Sequence, residues 1–263
     1  NALSGLWSAF HDVANQPADG GTRTALLQRA GTVADWLNET SARLSALSGD
    51  IASQASTDVD QVNALAAQVA ELNVSIVRAN GGQLPSNELA DQRDLLALKL
   101  ADLVGGVASV DDSGAMRVMI GGMPLVEGDR VRTRNLNGSG ATLALTWAAD
   151  GSPVQATGGE LRGLVGAVAS SLPSWRARLD SVASTLATTV NALHTTGFDL
   201  NGAAGGAFFT GATAGTIRVG ITDPRAVAAS AVAPGAGGAS LDSSVATSLA
   251  KLAASAVGPD LVL

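Results

Sequence analysis

Three stretches of the chain place apolar or small residues at alternating three- and four-residue steps. Leu26, Ala30, Val33, Leu37, Ser41, Leu44, Ser48 and Ile51 form the first, and Val62, Leu65, Val69, Leu72 and Ile76 form the second. The third runs Leu161, Val165, Val168, Leu172, Trp175, Leu179, Val182, Leu186, Val190 and Leu193. A step averaging about 3.5 residues keeps one seam on the same side of a supercoiled helix, so each stretch is expected to pair lengthwise with another helix. Any helical bundle carries such seams, so they specify long helices and leave the function open.

The segments around the seams read as follows. Leu3 to Val13 is a short helix with Leu6, Trp7 and Phe10 on one face, closed by Pro17, Gly20 and Gly21. A second helix starts near Thr22 and runs to about Gln54. The polar run Ser56 to Asp58 predicts a break, with Thr57 as N-cap of a further helix reaching Asn80. Ser86 or Asn87 caps the next helix, Glu88 to Val104, whose first turn holds Glu88 and Asp91 near the positive end of the dipole.

After Gly105 the period becomes alternating. Met116, Val118 and Ile120 share one side of a strand, as do Leu143, Leu145 and Trp147, and turn signals separate the candidate strands. Residues 105–156 are therefore expected to form a small antiparallel β-domain. Thr157 and Glu160 match a capping box that restarts the helix, which continues to about Thr196 with a kink at Pro173. Residues 157–197 thus return alongside 1–104. The glycine-rich and strand-like segment 198–239 is expected to pack on the β-domain, before a short C-terminal helix and tail over 240–263. The fold class that follows is α+β: an elongated bundle of long heptad-patterned helices with an inserted antiparallel β-domain.

Composition narrows the chemistry. Only 3% of the residues are aromatic and tyrosine is absent, so the core must be built from Leu, Val and Ala. Acidic residues outnumber basic ones by 23 to 16, a net charge of −7, and no segment gathers cations into a patch for phosphates, which argues against nucleic acid. With no cysteine there is no thiolate nucleophile, cysteine-ligated zinc or disulfide. The first residues lack the pattern of a signal peptide, and the uncharged runs are too diluted by Ser, Thr, Gly and Pro for a membrane span.

Motifs of catalysis are incomplete. His11 and His194 stand far apart without a second ligand at metal spacing. Asp199, Leu200, Asn201 and Gly202 open like a calcium loop, but the glycine comes two positions early and Thr210 replaces the bidentate Glu. Ser248 and Lys251 match Ser-x-x-Lys without the partner motifs of an acyl enzyme. Asp91, Arg93 and Asp94 are the densest helical charge cluster, and capping and surface pairing account for them. Neither an enzyme nor a cofactor is expected.

Several strings, in order along the chain, carry a family resemblance: FHDVANQPADGGTRTALLQRA at 10–30, LPSNELADQRD at 84–94, IGGMPLVEG at 120–128, GGELRGLVGAV at 158–168, LPSWRARLDSVASTLA at 172–187, VNALHTTGFDLNGAAGGAFFTG at 190–211 and TDPRAVAAS at 222–230. With these the chain resembles the flagellar hook-associated protein 1 family, the first junction proteins between hook and filament. The resemblance implies a structural subunit of the bacterial flagellum, exported by the flagellar type III route without a cleaved signal. It implies as partners the hook protein and the next junction protein. It also implies self-association of the full-length protein and an export chaperone for its C-terminal end. The terminal polymerisation helices of the family are not recognisable here, so this stretch is expected to be a monomer. The reading of a different class is a surface adhesin or glycan-binding module carried by the β-domain. Four Trp and no Tyr make a poor sugar-stacking platform.

Overall fold

The computed structural model describes residues 2–156, 158–234 and 242–254. They form two compact units, residues 1–45 with 174–263, and residues 46–173. Helix α2, Gly20–Gly81, is one continuous helix of 62 residues that contributes to both. The break expected at Ser56 to Asp58 is absent. Thr57 is no N-cap: its hydroxyl donates to the Ser53 carbonyl one turn back, while Ala55, Asp58 and Val59 are buried. Tertiary burial outweighs the weak helix propensity of the polar run.

The first unit contains α1, Ala2–Asn15, the N-terminal part of α2, and two later helices, α5, Leu172–His194, and α6, Ser244–Ala250. Its core joins Leu3, Leu6, Phe10 and Val13 of α1 to Leu26, Val33 and Leu37 of α2 and to Val182, Leu186 and Val190 of α5. The glycine-rich segment belongs here as well. Phe208, Phe209, Ala214, Ile217, Val227 and Ala229 enter this core, so the packing on the β-domain expected for 198–239 is corrected over 198–234, and 235–239 lie outside the described residues. The reason is aromatic: the Phe208 ring lies tilted against Phe10 and edge-on to His194, with both ring centroids 5.4 Å away. A short ribbon, β7 Phe209–Thr210 with β8 Arg218–Val219, closes the segment.

The second unit packs the C-terminal part of α2 and α3, Asn87–Val104, against strands. Antiparallel β1 Val107–Val110, β2 Met116–Ile120, β3 Met123–Glu127 and β4 Arg130–Val131 lie in that order, and β5 Arg134–Asn137 pairs with β6 Ala144–Trp147. Met116, Val118 and Ile120 point from β2 into a core with Val62, Val69, Leu100 and Leu161, as their alternation implies. Gly105 and Gly159 bring the two ends of the β-insert together. Gly105 has φ +68, and a side chain there would meet the backbone of Gly158 at 2.7 Å.

Helix α4, Glu160–Gly166, leads through a wider turn, Ala167–Ser171, into α5. Pro173 has no N–H for the preceding turn, and its ring crowds the carbonyl of residue 169. A π-turn, in which the Leu172 N–H donates to Ala167, makes room before it, and helical conformation resumes.

Candidate interaction surfaces

Along the third seam, Leu179, Val182 and Leu186 are buried, Leu172 is half-buried, and Trp175 is 59% exposed. Leu161 and Val168 are buried as well, so the cover of the seam is interrupted at Trp175, whose ring instead lies under the Arg178 guanidinium at 5.3 Å. Leu37 and Val69 are buried, while Leu44 and Leu72 are half-buried.

The cap residues fall differently from expectation. Ser86, not Asn87, precedes α3; its hydroxyl makes no cap bond and donates to the Asn80 side chain. Glu160 is the first residue of α4 behind Gly159, so it is not the third-position acceptor of a capping box. Thr157 lies outside the described residues.

Several polar side chains inside the two units are occupied by the backbone, whereas the guanidinium nitrogens of buried Arg134 have no hydrogen-bond partner among the described residues. In the second, the Asn73 amide exchanges hydrogen bonds with both the N–H and the carbonyl of Met116, each at 2.8 Å, and also donates to Gly128. Asn63 does the same for Arg134, at 2.9 Å in both directions. The Arg134 guanidinium sits over the Trp147 ring at 5.8 Å, and burial pulls it down to about 10. Arg93 donates to the Gly114 carbonyl at 2.6 Å and to Asp94 at 3.0 Å, so within the Asp91, Arg93, Asp94 cluster it is Arg93, paired with Asp94, that ties α3 to the β1–β2 turn.

In the first unit, Asn191 holds Phe209 by its N–H and carbonyl, and Arg23 donates to the carbonyls of Pro17, Pro224 and Val227. Asp199 accepts the N–H groups of Asn201 and Ala203 and so builds a turn from the calcium-like string. Asp111, Asp150 and Asp242 each accept from the serine two residues on, and these bonds hold all three carboxyls below the usual range. The Ser248 hydroxyl donates to the Ser244 carbonyl.

Among the described residues no three histidine, aspartate or glutamate side chains are grouped to hold a metal ion, and no helix is long and apolar enough to cross a membrane. Some large apolar side chains face outward on helix and strand. Leu95 and Leu98 of α3 are 55% and 65% exposed on one face with Glu88, Asp91 and Asp102, and all of β1 is exposed. None of these surfaces was legible in sequence, because the heptad steps mark only the face that is buried.

Long helices stapled to short antiparallel strands through their own side chains define an α+β fold. Residues 1–209 match the family model described as the flagellar hook-associated protein FlgK helical domain, and the chain belongs to that family. It is 30% identical over 220 residues to flagellar hook-associated protein 1 of Escherichia coli K12, covering 79% of this chain and 40% of that protein. The Salmonella typhimurium protein of the same name matches at 30% over 222 residues, with 80% and 40% covered. Among solved structures, the flagellar hook junction protein FlgK from Burkholderia pseudomallei superposes with a TM-score of 0.71 at 30% identity, over 80% of this chain and 40% of that one. The chain thus spans about 40% of the length of these relatives. Nothing among the matches supports the glycan-binding alternative.

Proposed function

We propose that the chain is part of a structural subunit at the hook-filament junction of the bacterial flagellum, where it adapts the hook to the filament and performs no catalysis. The observation that carries this reading is the family match over residues 1–209 together with the fold shared with a solved hook junction protein. Its partners are then the hook protein and the next junction protein, with self-association and chaperone binding belonging to the full-length subunit. The route outward is flagellar type III export. Removing the coding segment for residues 20–194 from the full-length gene of a motile host tests the proposal. The expected result is cells with hooks but no filaments under the electron microscope, restored by the intact gene. Filaments of normal number and length on the deleted strain would overturn it.

A further inference from the structure

His194 ends α5 with its ring fully buried in the first unit. Its Nδ1 lies 2.7 Å from the carbonyl oxygen of Gly206, and its Nε2 lies 2.8 Å from the amide nitrogen of Ala228. One proton arrangement satisfies both contacts: Nδ1–H donates to Gly206, while bare Nε2 accepts from Ala228. The ring therefore ties two separate points of the glycine-rich segment to α5.

The strip from Pro224 to Ser230 is held on other sides too. Arg23 of α2 donates to the Val227 carbonyl at 2.5 Å. Phe198 accepts from the Ala229 N–H and donates to the Ser230 carbonyl, and Ala246 of α6 donates to the Ala229 carbonyl. Two charges act on the imidazole: Arg23, which disfavours a second cation, and Asp199, which favours one. Arg225 acts in turn on Arg23. The Asp242 carboxylate is engaged by Ser230, Ala231 and Ser244. From α1 the neighbour is Phe10, through the Phe208 ring, and the core residues of α6 are Val245, Ala246 and Leu249.

We propose that His194 is an acid-operated latch: a proton taken from solvent at Nε2 turns the acceptor of the Ala228 N–H into a donor and frees residues 224–230, and with them α6, from the rest of the unit. After protonation two N–H groups face each other in a buried place that already holds Arg23, and separation of the strip is the way to hydrate both. Burial above all, with Arg23 second in the same sense, holds the imidazole below its ordinary value of 6.5, against the bond to Gly206 and the charge of Asp199. The latched state thus resists the proton while the released state does not. Latching is complete above pH 6.5 and weakens as the pH falls below it.

Hydrogen exchange of the whole chain, read by mass spectrometry and corrected for intrinsic rates, tests the latch. Between pH 7.5 and 5.0, protection in 224–230 and 244–250 is expected to fall by up to about 30-fold, the most a group with an ordinary histidine value can contribute over that interval. Protection in 97–104, within the other unit, is expected to stay constant. His194→Gln, whose amide can donate to Gly206 and accept from Ala228 without titrating, is expected to keep its protection at both pH values. An equal acid response in the variant, or one spread over both units, overturns the latch. Should the variant lack the native pattern at pH 7.5, the His194 ring resonances of the unmodified chain decide. A titration midpoint below 6.5 that coincides with the loss of protection upholds the latch, and a midpoint at or above 6.5, or exchange that does not track it, overturns it.

Discussion

Asn63, Asn73 and Asn191 sit on helices, yet each behaves as a neighbouring strand would, giving a hydrogen bond to the carbonyl and taking one from the N–H of a single residue. The residues so held are Arg134, Met116 and Phe209, at or beside the ends of short strands whose polar backbone would otherwise face the helix unpaired. Asn73 is the most heavily used, with two carbonyls on its amide nitrogen. Asn73→Asp keeps the shape and replaces that double donor by an acceptor against two carbonyl oxygens in a site that is 1% exposed. The expected cost is about 2–3 kcal/mol, the price of leaving buried polar groups unsatisfied. It is read as a lower urea midpoint at neutral pH, partly recovered under acid where the carboxyl carries a proton. An unchanged midpoint would show that the contact with Met116 contributes nothing. These roles could not be read in advance, since a helical Asn in sequence signals only weak propensity and its partners lie 18 to 71 residues away.

At the scale of the element, helix α5 shows what a heptad can and cannot say. Val182, Leu186 and Val190 lie where the 3.5-residue step puts them, packed on α1 and α2, because the step reports a face that must be covered along its length. Trp175 keeps the step but not the cover, and a π-turn, the irregularity that commonly accompanies a bend in a helix, precedes Pro173. Periodicity carries no information on where a partner ends. The break expected in α2 is absent: the hydroxyls of Thr40, Ser45 and Thr57 bond back to carbonyls one turn earlier, and at the polar run itself the opposite face, Ala55, Asp58 and Val59, is buried. Truncations along α5 should separate cover from step. Leu179→Ala is expected to cost about 2–5 kcal/mol and Trp175→Ala less than about 1 kcal/mol, although the second removes far more surface. Chemical denaturation of the two variants checks the order, and equal midpoints would refute it.

Across the whole molecule the chain passes from one unit into the other within α2 and comes back beside Pro173. The second unit is one uninterrupted segment, 46–173, while the first needs 1–45 and 174–263 together. That partition was hidden in sequence because the glycine-rich segment shows no periodicity, and its membership is decided by Phe208, Phe209 and Ile217 meeting helices from both ends of the chain. The second core runs from Ala55 to Leu161, so a cut before residue 46 leaves it intact and falls next to 46–54, a stretch of α2 without a buried residue. A unit with its own core folds alone when no buried residue is borrowed from elsewhere. Residues 46–173 expressed by themselves are therefore expected to unfold in one cooperative transition and to show the dispersed amide resonances of the β1–β4 sheet. Residues 174–263 alone lack the α1 and α2 surfaces that Val182, Leu186 and Val190 cover, and are expected to stay unfolded until 1–45 is supplied. Collapsed spectra from 46–173, or a stable fold from 174–263 without its complement, would mean that the two cores are not divided where α2 passes residue 45.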